Sequence, residues 1–330
     1  MKPLSPASQD ASVDYEPPLF TIITVCRNAV ESVGKALESL AAQTFTDWEW
    51  IMVDGASTDA TVAQANTLHG KGRRLEIISE PDTGIYNAMN KGLRSARGQY
   101  VYFLNADDAL HDERVLEDVA QELRLLPDTD FLYGNILVCH SGQPDLIYCP
   151  QPPARALEEM VCGCIPHQGS FARLSLFLGE IGFFNEELRT AADYQWMMHA
   201  VSSPTVRLHY IDRAIAKYAG DGASSELEES LPESFKVLNE NIAFQQAIGM
   251  PAIISGYQQQ ILKLRLEIRS ATYHHQCDRN KLTKELSKKM AIRAKLDAMK
   301  LKFDSMKLDF EAIKLQQRKR KSWLPKWLRF

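Results

Sequence analysis

Four polar clusters and one isolated acid hold the chemistry available to this chain. Cys26-Arg27-Asn28, Asp54-Gly55-Ala56-Ser57-Thr58-Asp59, Ser79-Glu80-Pro81-Asp82-Thr83-Gly84 and Asn105-Ala106-Asp107-Asp108 each follow a short apolar run. Asp107 and Asp108 are hard oxygen donors of the kind that hold Mg²⁺ or Mn²⁺ against an anionic ligand. The same pair also suits the acidic first turn of a helix before Val115. Asp54 can accept from a nucleobase N–H or from ribose hydroxyls, or make a turn before Gly55. Thr83-Gly84 opens a helical pattern whose first N–H groups suit a phosphate, with Lys91 and Arg94 near in sequence; a plain strand-to-helix turn is the alternative. Asp193 sits beside Tyr194 and Trp196, an apolar setting that can tune a carboxylate for proton abstraction. An ordinary acid in the first turn of a helix fits the same residues. His167-Gln168 either lines the same cleft or is structural.

The elements that must position these groups follow from periodicity. Phe20 to Val25, Trp50 to Val53, Leu75 to Ile78, Tyr100 to Leu104 and Phe131 to Tyr133 are compact, β-branched or aromatic runs that predict strands. Between them lie helical patterns: Val33, Leu37 and Leu40 through about Gln43, a stretch from about Thr58, and Ile85 to about Ala96. Alternation of this kind builds βαβ units and a mostly parallel sheet, in which ligands collect at the carboxyl ends of the strands. The four clusters fall at those ends, so a shared ligand site on one rim is expected. Pro144 to Pro153 is expected to cross the surface. A helix from about Leu231 to Ile248, a Gly249/Pro251 break and a long helical stretch to about Lys321 follow.

Composition narrows the class. The chain has 330 residues, 45% hydrophobic and 24% charged, a folded-protein composition that excludes collagen-like or wholly disordered chains. No apolar run of about 18 residues exists to span a bilayer. Met1 to Pro18 has no basic flank before an apolar stretch and is expected to be a loose tail, not a secretory signal. The six cysteines form no C-x-x-C pair, which fits a reduced, cytoplasmic setting. With neither G-x-x-x-x-G-K-[ST] nor G-x-G-x-x-G present, a P-loop NTPase and a dinucleotide-binding dehydrogenase both lose support.

Phe20 to Asn28, Asp54-Gly55-Ala56-Ser57-Thr58-Asp59, the run SEPDTGIYNAMNKG from Ser79 to Gly92, and Leu104-Asn105-Ala106-Asp107-Asp108 together resemble a family 2 glycosyltransferase of the GT-A fold. The resemblance covers roughly residues 19 to 225 and points to the branch with colanic-acid and other bacterial surface-polysaccharide transferases. It implies an α/β, Rossmann-like GT-A domain and an inverting transfer from a nucleotide-diphospho-sugar to a glycan or lipid-linked acceptor. Asp54 and the backbone around Val25 and Arg27 would contact the base, with Asp82 near the nucleotide. Asn105, Ala106 and Asp107 would meet the donor, and Asp107 and Asp108 would fill the DxD-type position that holds Mn²⁺ or Mg²⁺. Asp193 would be the base and His167-Gln168 would stand on the acceptor side. Three positions depart from the pattern: Asn105 replaces the first Asp of a DxD, Asn87 replaces the Asp of GIYDAMNKG, and Ala192 replaces an acid before the base. A catalytically silent nucleotide-sugar-binding module is the alternative those asparagines keep open. A nucleotidyltransferase is disfavoured, since no Gly-rich basic phosphate loop appears at the N-terminus.

The C-terminal end differs in charge. Residues 281–330 carry 16 Lys/Arg against 5 Asp/Glu, a balance of +11, while the first 280 carry 22 against 37, a balance of −15. Arg318-Lys319-Arg320-Lys321 followed by Trp323, Leu324, Trp327, Leu328 and Phe330 suits an anionic membrane surface, and the tandem tryptophans disfavour nucleic acid, for which charge alone suffices. Ile292, Leu296, Met299, Phe303, Met306, Phe310 and Ile313 alternate at 4 and 3 spacing, which predicts a coiled coil and a homo-oligomer, or a helix packed on its own body. The expected organisation is a tail at 1–18, the GT-A domain at 19–225, a helical linker at 226–255, a long helix or coiled coil at 256–321 and a basic-aromatic tail at 322–330. A cytoplasmic enzyme, peripheral on the inner face of the membrane, is the corresponding location.

Overall fold

The computed structural model describes residues 16–67, 74–139, 144–220, 227–249, 252–258, 261–262 and 282–323. The expected tail before residue 16 and the aromatic end at 324–330 lie outside the described residues. Four βα units open the fold: β1 (Phe20–Cys26), α1 (Val33–Ala41), β2 (Trp48–Asp54), α2 (Thr61–Asn66), β3 (Arg74–Ser79), α3 (Ile85–Ser95), β4 (Tyr100–Phe103), then α4 (Val115–Leu125) after the short β5 (Ala109–Leu110). The chain continues through β6 (Phe131–Cys139), β7 (Leu146–Tyr148), α5 (Ala156–Cys162), β8 (Ser170–Arg173), α6 (Leu174–Leu178), α7 (Ala192–Ser202) and β9 (Leu208–Ala219).

The nine strands of the described residues join one sheet in the order β3-β2-β1-β4-β8-β6-β9-β5, with β7 pairing to β6 off that path. The first half is parallel, as expected. From β8 onward it is mixed: β8 runs antiparallel to both β4 and β6, while β9 is parallel to β6 across a bulge at Gly134 to Ile136. The Pro-rich stretch expected to cross the surface includes β7, which pairs with β6 as a hairpin arm.

Period-two alternation buries both sheet faces. Phe20, Ile22, Trp50, Met52, Tyr100 and Tyr102 pack with α1 and α4. Ile23, Val25, Ile51, Val53, Val101 and Phe103 pack with α3 and α7. Helices on both faces explain why these strands are nearly continuous apolar runs. Because β3, β2 and β1 are followed by a crossover to β4 on the other side of β1, the strand order reverses beside β1. A crevice at the carboxyl ends is the consequence. Register places the polar clusters there: Cys26 pairs with Asp54, and Asp54 with Ser79.

One expected helix is two. α8 (Leu227–Glu240) and α9 (Ile242–Ile248) are separated at Asn241, whose side chain accepts from Phe244 N at 3.0 Å and caps the second helix. The stretch expected as a linker contributes Phe235, Val237, Leu238, Phe244 and Ile253 to the core under α3 and α7. α10 (Leu282–Trp323) follows. Its seam residues Leu296 and Met299 are buried in that same core, with Phe303 and Met306 packed beside them. The Lys302 ammonium lies 4.8 Å from the Phe235 ring centre. The first half of the heptad seam is therefore covered by the chain's own body, the second of the two arrangements the spacing allowed. The side chains of Phe310 and Ile313 lie outside the described residues. Among the described residues, no helix is long and apolar enough to cross a membrane.

Candidate active site

The rim at the ends of β1, β2 and β3 is built around Asp54. Its side chain is fully buried, and both oxygens are engaged: Oδ2 accepts from Ser57 N at 3.0 Å and Ser79 Oγ at 2.7 Å, and Oδ1 from Ser57 Oγ. The Cys26 thiol donates to Oδ1 at 3.8 Å, and burial together with the Asp54 charge pushes that thiol up to about 12. Asp54 therefore braces the rim. Its acceptor capacity is used in tying three loops together.

Two residues pay for that shape in backbone strain. Asn28 and Ala56 both have positive φ, 50° and 56°. Asn28 suits the left-handed region and is held there, its amide N donating to Ser57 Oγ and its Oδ1 accepting from Thr58 N. Ala56 has no such excuse. Gly55 allows close approach: a Cβ there would lie 2.2 Å from Asp82 Oδ2 and 3.3 Å from Arg27 Cδ. Asp82 and the exposed Arg27 are therefore neighbours over the Asp54-Gly55 turn, as a shared rim required. Val25 is buried in β1, so only its main chain is available to a ligand. Lys91 binds the main chain and an acid of the preceding loop. Its ammonium bonds Pro81 O at 2.7 Å and Glu80 at 2.8 Å, holding the Asp82 loop closed on α3.

Beyond β4, the two adjacent aspartates separate in role. Asp107 is exposed, whereas Asp108 is 1% exposed. Asp108 accepts from Ala219 N at 3.1 Å and from Asn105 Nδ2 at 3.3 Å, fastening the loop to the end of β9. Burial, then the charge of Asp107, pushes its carboxyl up to about 7. Ala106, between Asn105 and Asp107, is buried.

Asn105 also lies 3.0 Å, through Nδ2, from His167 Nε2. On its other side, His167 Nδ1 is 2.9 Å from Asp193 Oδ2. Tyr86 donates to Asp193 Oδ1 at 2.8 Å, and Tyr194 N to the same oxygen at 2.9 Å. One chain of contacts thus runs Asp108–Asn105–His167–Asp193–Tyr86 across four separate parts of the sequence. His167 opens a 3-10 turn (His167–Gly169) that leads into β8, and Asp193 is in the first turn of α7. Gln168 is buried, its carbonyl accepting from Tyr102 at 2.8 Å; its main chain braces β4.

Burial raises the Asp193 carboxyl, but the bond and charge of His167 and the bond from Tyr86 outweigh it, and Asp193 is held below the ordinary carboxylate value. For His167, burial lowers the pKa and Asp193 more than restores it, so the ring is shifted upward. An apolar setting alone would have raised Asp193; its polar partners reverse the sign.

The unusual asparagines have partners. Asn105 Nδ2 faces both His167 and Asp108, and a carboxylate at 105 would have no hydrogen to offer either. Asn87 Oδ1 accepts from Thr83 N at 3.4 Å while Nδ2 donates to Glu186 at 2.7 Å. An aspartate at 87 would set two carboxylates face to face. Asn90 joins the same latch, donating to Glu186 at 2.8 Å and Phe184 O at 2.9 Å. The sequence did not single out Glu186 or Glu233. Glu233 on α8 accepts from Arg189 N, Thr190 N and Thr190 Oγ1 at 2.8, 2.6 and 2.8 Å, just before α7. No local signal marks an acid that acts 43 residues away. Tyr86 was visible only as a member of the SEPDTGIYNAMNKG run.

Comparison with known proteins shows the family and the fold. Residues 21–144 match the family described as Glycosyl transferase family 2. The chain is 33% identical over 214 residues to a PGL/p-HBAD biosynthesis glycosyltransferase of Mycobacterium bovis, spanning 63% of this chain and 79% of that protein. Among solved structures it is similar to the mannosyltransferase PcManGT from Pyrobaculum calidifontis in complex with GDP-Man and Mn²⁺ (TM-score 0.55, 17% identity, covering 87% of each chain). It is likewise similar to S. aureus TarS in complex with UDP-GlcNAc (TM-score 0.54, 19% identity, covering 85% of this chain and 83% of that one). At these identities the structural likenesses establish the GT-A fold.

Proposed function

Since the chain belongs to glycosyl transferase family 2, we propose that it is an inverting, metal-dependent transferase that uses Asp193 as its base. The observation that carries this reading is the placement of Asp193: half-buried, joined through His167 and Asn105 to the loop that presents Asp107. The acceptor hydroxyl gives its proton to Asp193 while its oxygen forms a bond to the anomeric carbon. The bond from that carbon to the diphosphate breaks on the opposite face, and a nucleoside diphosphate leaves. A carboxylate held anionic is free to receive the proton, and positioned general bases of this kind contribute about 10²–10⁴-fold.

The donor is a nucleotide-diphospho-sugar, supported by the fold neighbours solved with GDP-Man and UDP-GlcNAc. Main chain near Val25, with Arg27 and Asp82, forms its nucleotide side, and Asp54 keeps that rim in shape. The residues fit a divalent ion. Asp107 is exposed, and the buried Asn105 Oδ1 beside it has no hydrogen-bond partner among the described residues. Mg²⁺ or Mn²⁺ would be held there by one or two protein oxygens plus the diphosphate. When bound, such an ion offsets charge on the departing diphosphate. The acceptor is a glycan or lipid-linked saccharide, and the basic C-terminal end brings the enzyme to the inner face of an anionic membrane. The charge asymmetry of the chain supports that placement.

Thermal denaturation of the full chain with UDP-, GDP- and dTDP-sugars, each with Mn²⁺ or EDTA, tests the donor half. A rise in Tm for one nucleotide that requires the metal is expected, since a ligand of the folded state stabilises by mass action. No rise with any donor contradicts it.

A further inference from the structure

Tyr86 is the second residue of α3, immediately after the Asp82-Thr83-Gly84 loop. Its ring is 5% exposed and tilts against Phe184 at 5.7 Å between centroids. A buried tyrosine hydroxyl takes a partner, and here that partner is the carboxylate proposed as the base. We propose that Tyr86 is a positioning residue for transfer: its hydroxyl fixes the orientation of the Asp193 carboxylate and ties it to the donor-side loop. The proposal rests on the reading of Asp193 as the base.

The geometry supports this in two ways. An ionised carboxylate has about four acceptor directions. Tyr86 Oη and Tyr194 N take two on Oδ1, and His167 Nδ1 takes one on Oδ2. One direction is left for an incoming hydroxyl. Tyr194 N is covalently next to the carboxylate and cannot set its direction in the cleft; Tyr86 and His167 approach from opposite elements and can. Second, Tyr86 connects the two halves of the site. The same helical start carries Asn87, which accepts from Thr83 N in the donor-side loop and donates to Glu186 in the loop before α7. The donor side and the base are therefore linked through consecutive residues of α3.

The groups facing Asp193 are Tyr86 from α3, His167 from the turn before β8, Cys164 from the segment after α5, and its own neighbour Tyr194. Asp107 and Asp108 act on it through His167. Of these, Tyr86 is the one whose donor can be deleted while the packed ring remains.

The test uses the full chain with Tyr86→Phe. Asp193 is followed by ¹³C carboxylate NMR titration, its resonance identified by its loss in Asp193→Asn. Losing a donor to the charged form should move the Asp193 titration upward by on the order of one pH unit, equivalent to about tenfold in the protonation equilibrium. With water in place of the acceptor, release of nucleoside diphosphate from UDP-GlcNAc or GDP-Man should fall about tenfold or more in kcat, while the donor-induced rise in Tm stays as in the parent. Fluorotyrosine at position 86, which keeps the hydroxyl and makes it a stronger donor, should shift the titration the other way and provides a second variant should Tyr86→Phe fold poorly. An unchanged Asp193 titration in either variant overturns the proposal. Asp193→Asn with undiminished donor turnover overturns the base reading itself, a result distinct from loss of the Tyr86 effect alone.

Discussion

The rim proposed to take the donor and the pocket proposed to hold the base use carboxylates in opposite ways. On the rim, Asp54 and on the neighbouring loop Asp108 are 0% and 1% exposed, and their oxygens accept from serines, from backbone N–H groups and from Asn105. They hold loops in place. Asp107 stands exposed beside Asp108, and the Asp193 side chain is 24% exposed with its charge favoured by Tyr86 and His167. Adjacent acids in one sequence cluster therefore divide between one that fastens loops and one that faces solvent, according to which way the backbone turns them. A motif gives the cluster, and burial gives the division.

That division can be broken at its structural end. Asp54→Ala removes the shared acceptor of Ser57 N, Ser57 Oγ and Ser79 Oγ, and each bond lost costs about 1 kcal/mol, since half-buried or exposed serines can turn to water. A net loss of about 3 kcal/mol by urea denaturation is expected; a change under about 0.5 kcal/mol would return Asp54 to the ligand-binding side of the comparison.

Glu233 sharpens the comparison at the base pocket, because it holds the entry to α7 from outside the rim. Glu233→Gln should cost about 1–2 kcal/mol at pH 7 by weakening charge-assisted bonds to Arg189 N, Thr190 N and Thr190 Oγ1. Burial raises the Glu233 carboxyl, but those bonds outweigh it and leave its folded pKa lowered. Its contribution is therefore complete above the unfolded value near 4.3 and is lost as pH falls through the folded value. The gap between parent and variant should narrow below about pH 4. A gap that widens in acid would contradict the assignment.

The smallest effect concerns strain on the rim. Ala56 holds φ at 56°, which costs an L-residue about 1–2 kcal/mol, while glycine loses about 0.5–1 kcal/mol more backbone entropy on folding. Ala56→Gly should thus stabilise by about 0.5–1 kcal/mol, read as a higher Tm. A fall in Tm would show that the turn is relaxed.

Much of the rim was legible because it depends on local periodicity. Phe20 to Val25, Trp50 to Val53, Leu75 to Ile78 and Tyr100 to Leu104 are compact apolar runs that end in turn-forming polar residues, so both strands and cluster positions follow. β9 was missed because Asp212, Arg213 and Lys217 interrupt its apolar residues, and its pairing with β6 is set across 77 residues of chain. Asp193 and His167 were visible as residues, but the sign of the Asp193 shift was not, because Tyr86 and His167 arrive from elements 107 and 26 residues distant. The heptad spacing from Ile292 was correct as periodicity and silent about which surface would cover it. Leu296 and Met299 pack against this chain's own core.

The most direct test of the account separates donor binding from chemistry in the full chain. Asp107→Ala and Asp193→Asn are each measured for the metal-dependent, donor-induced rise in Tm and for nucleoside diphosphate release from the donor that produces it. The account predicts that Asp107→Ala loses the rise, whereas Asp193→Asn keeps it and loses about 10²–10⁴-fold in turnover. Asp193→Asn turning over donor at the parent rate, or Asp107→Ala keeping the full metal-dependent rise, would contradict it.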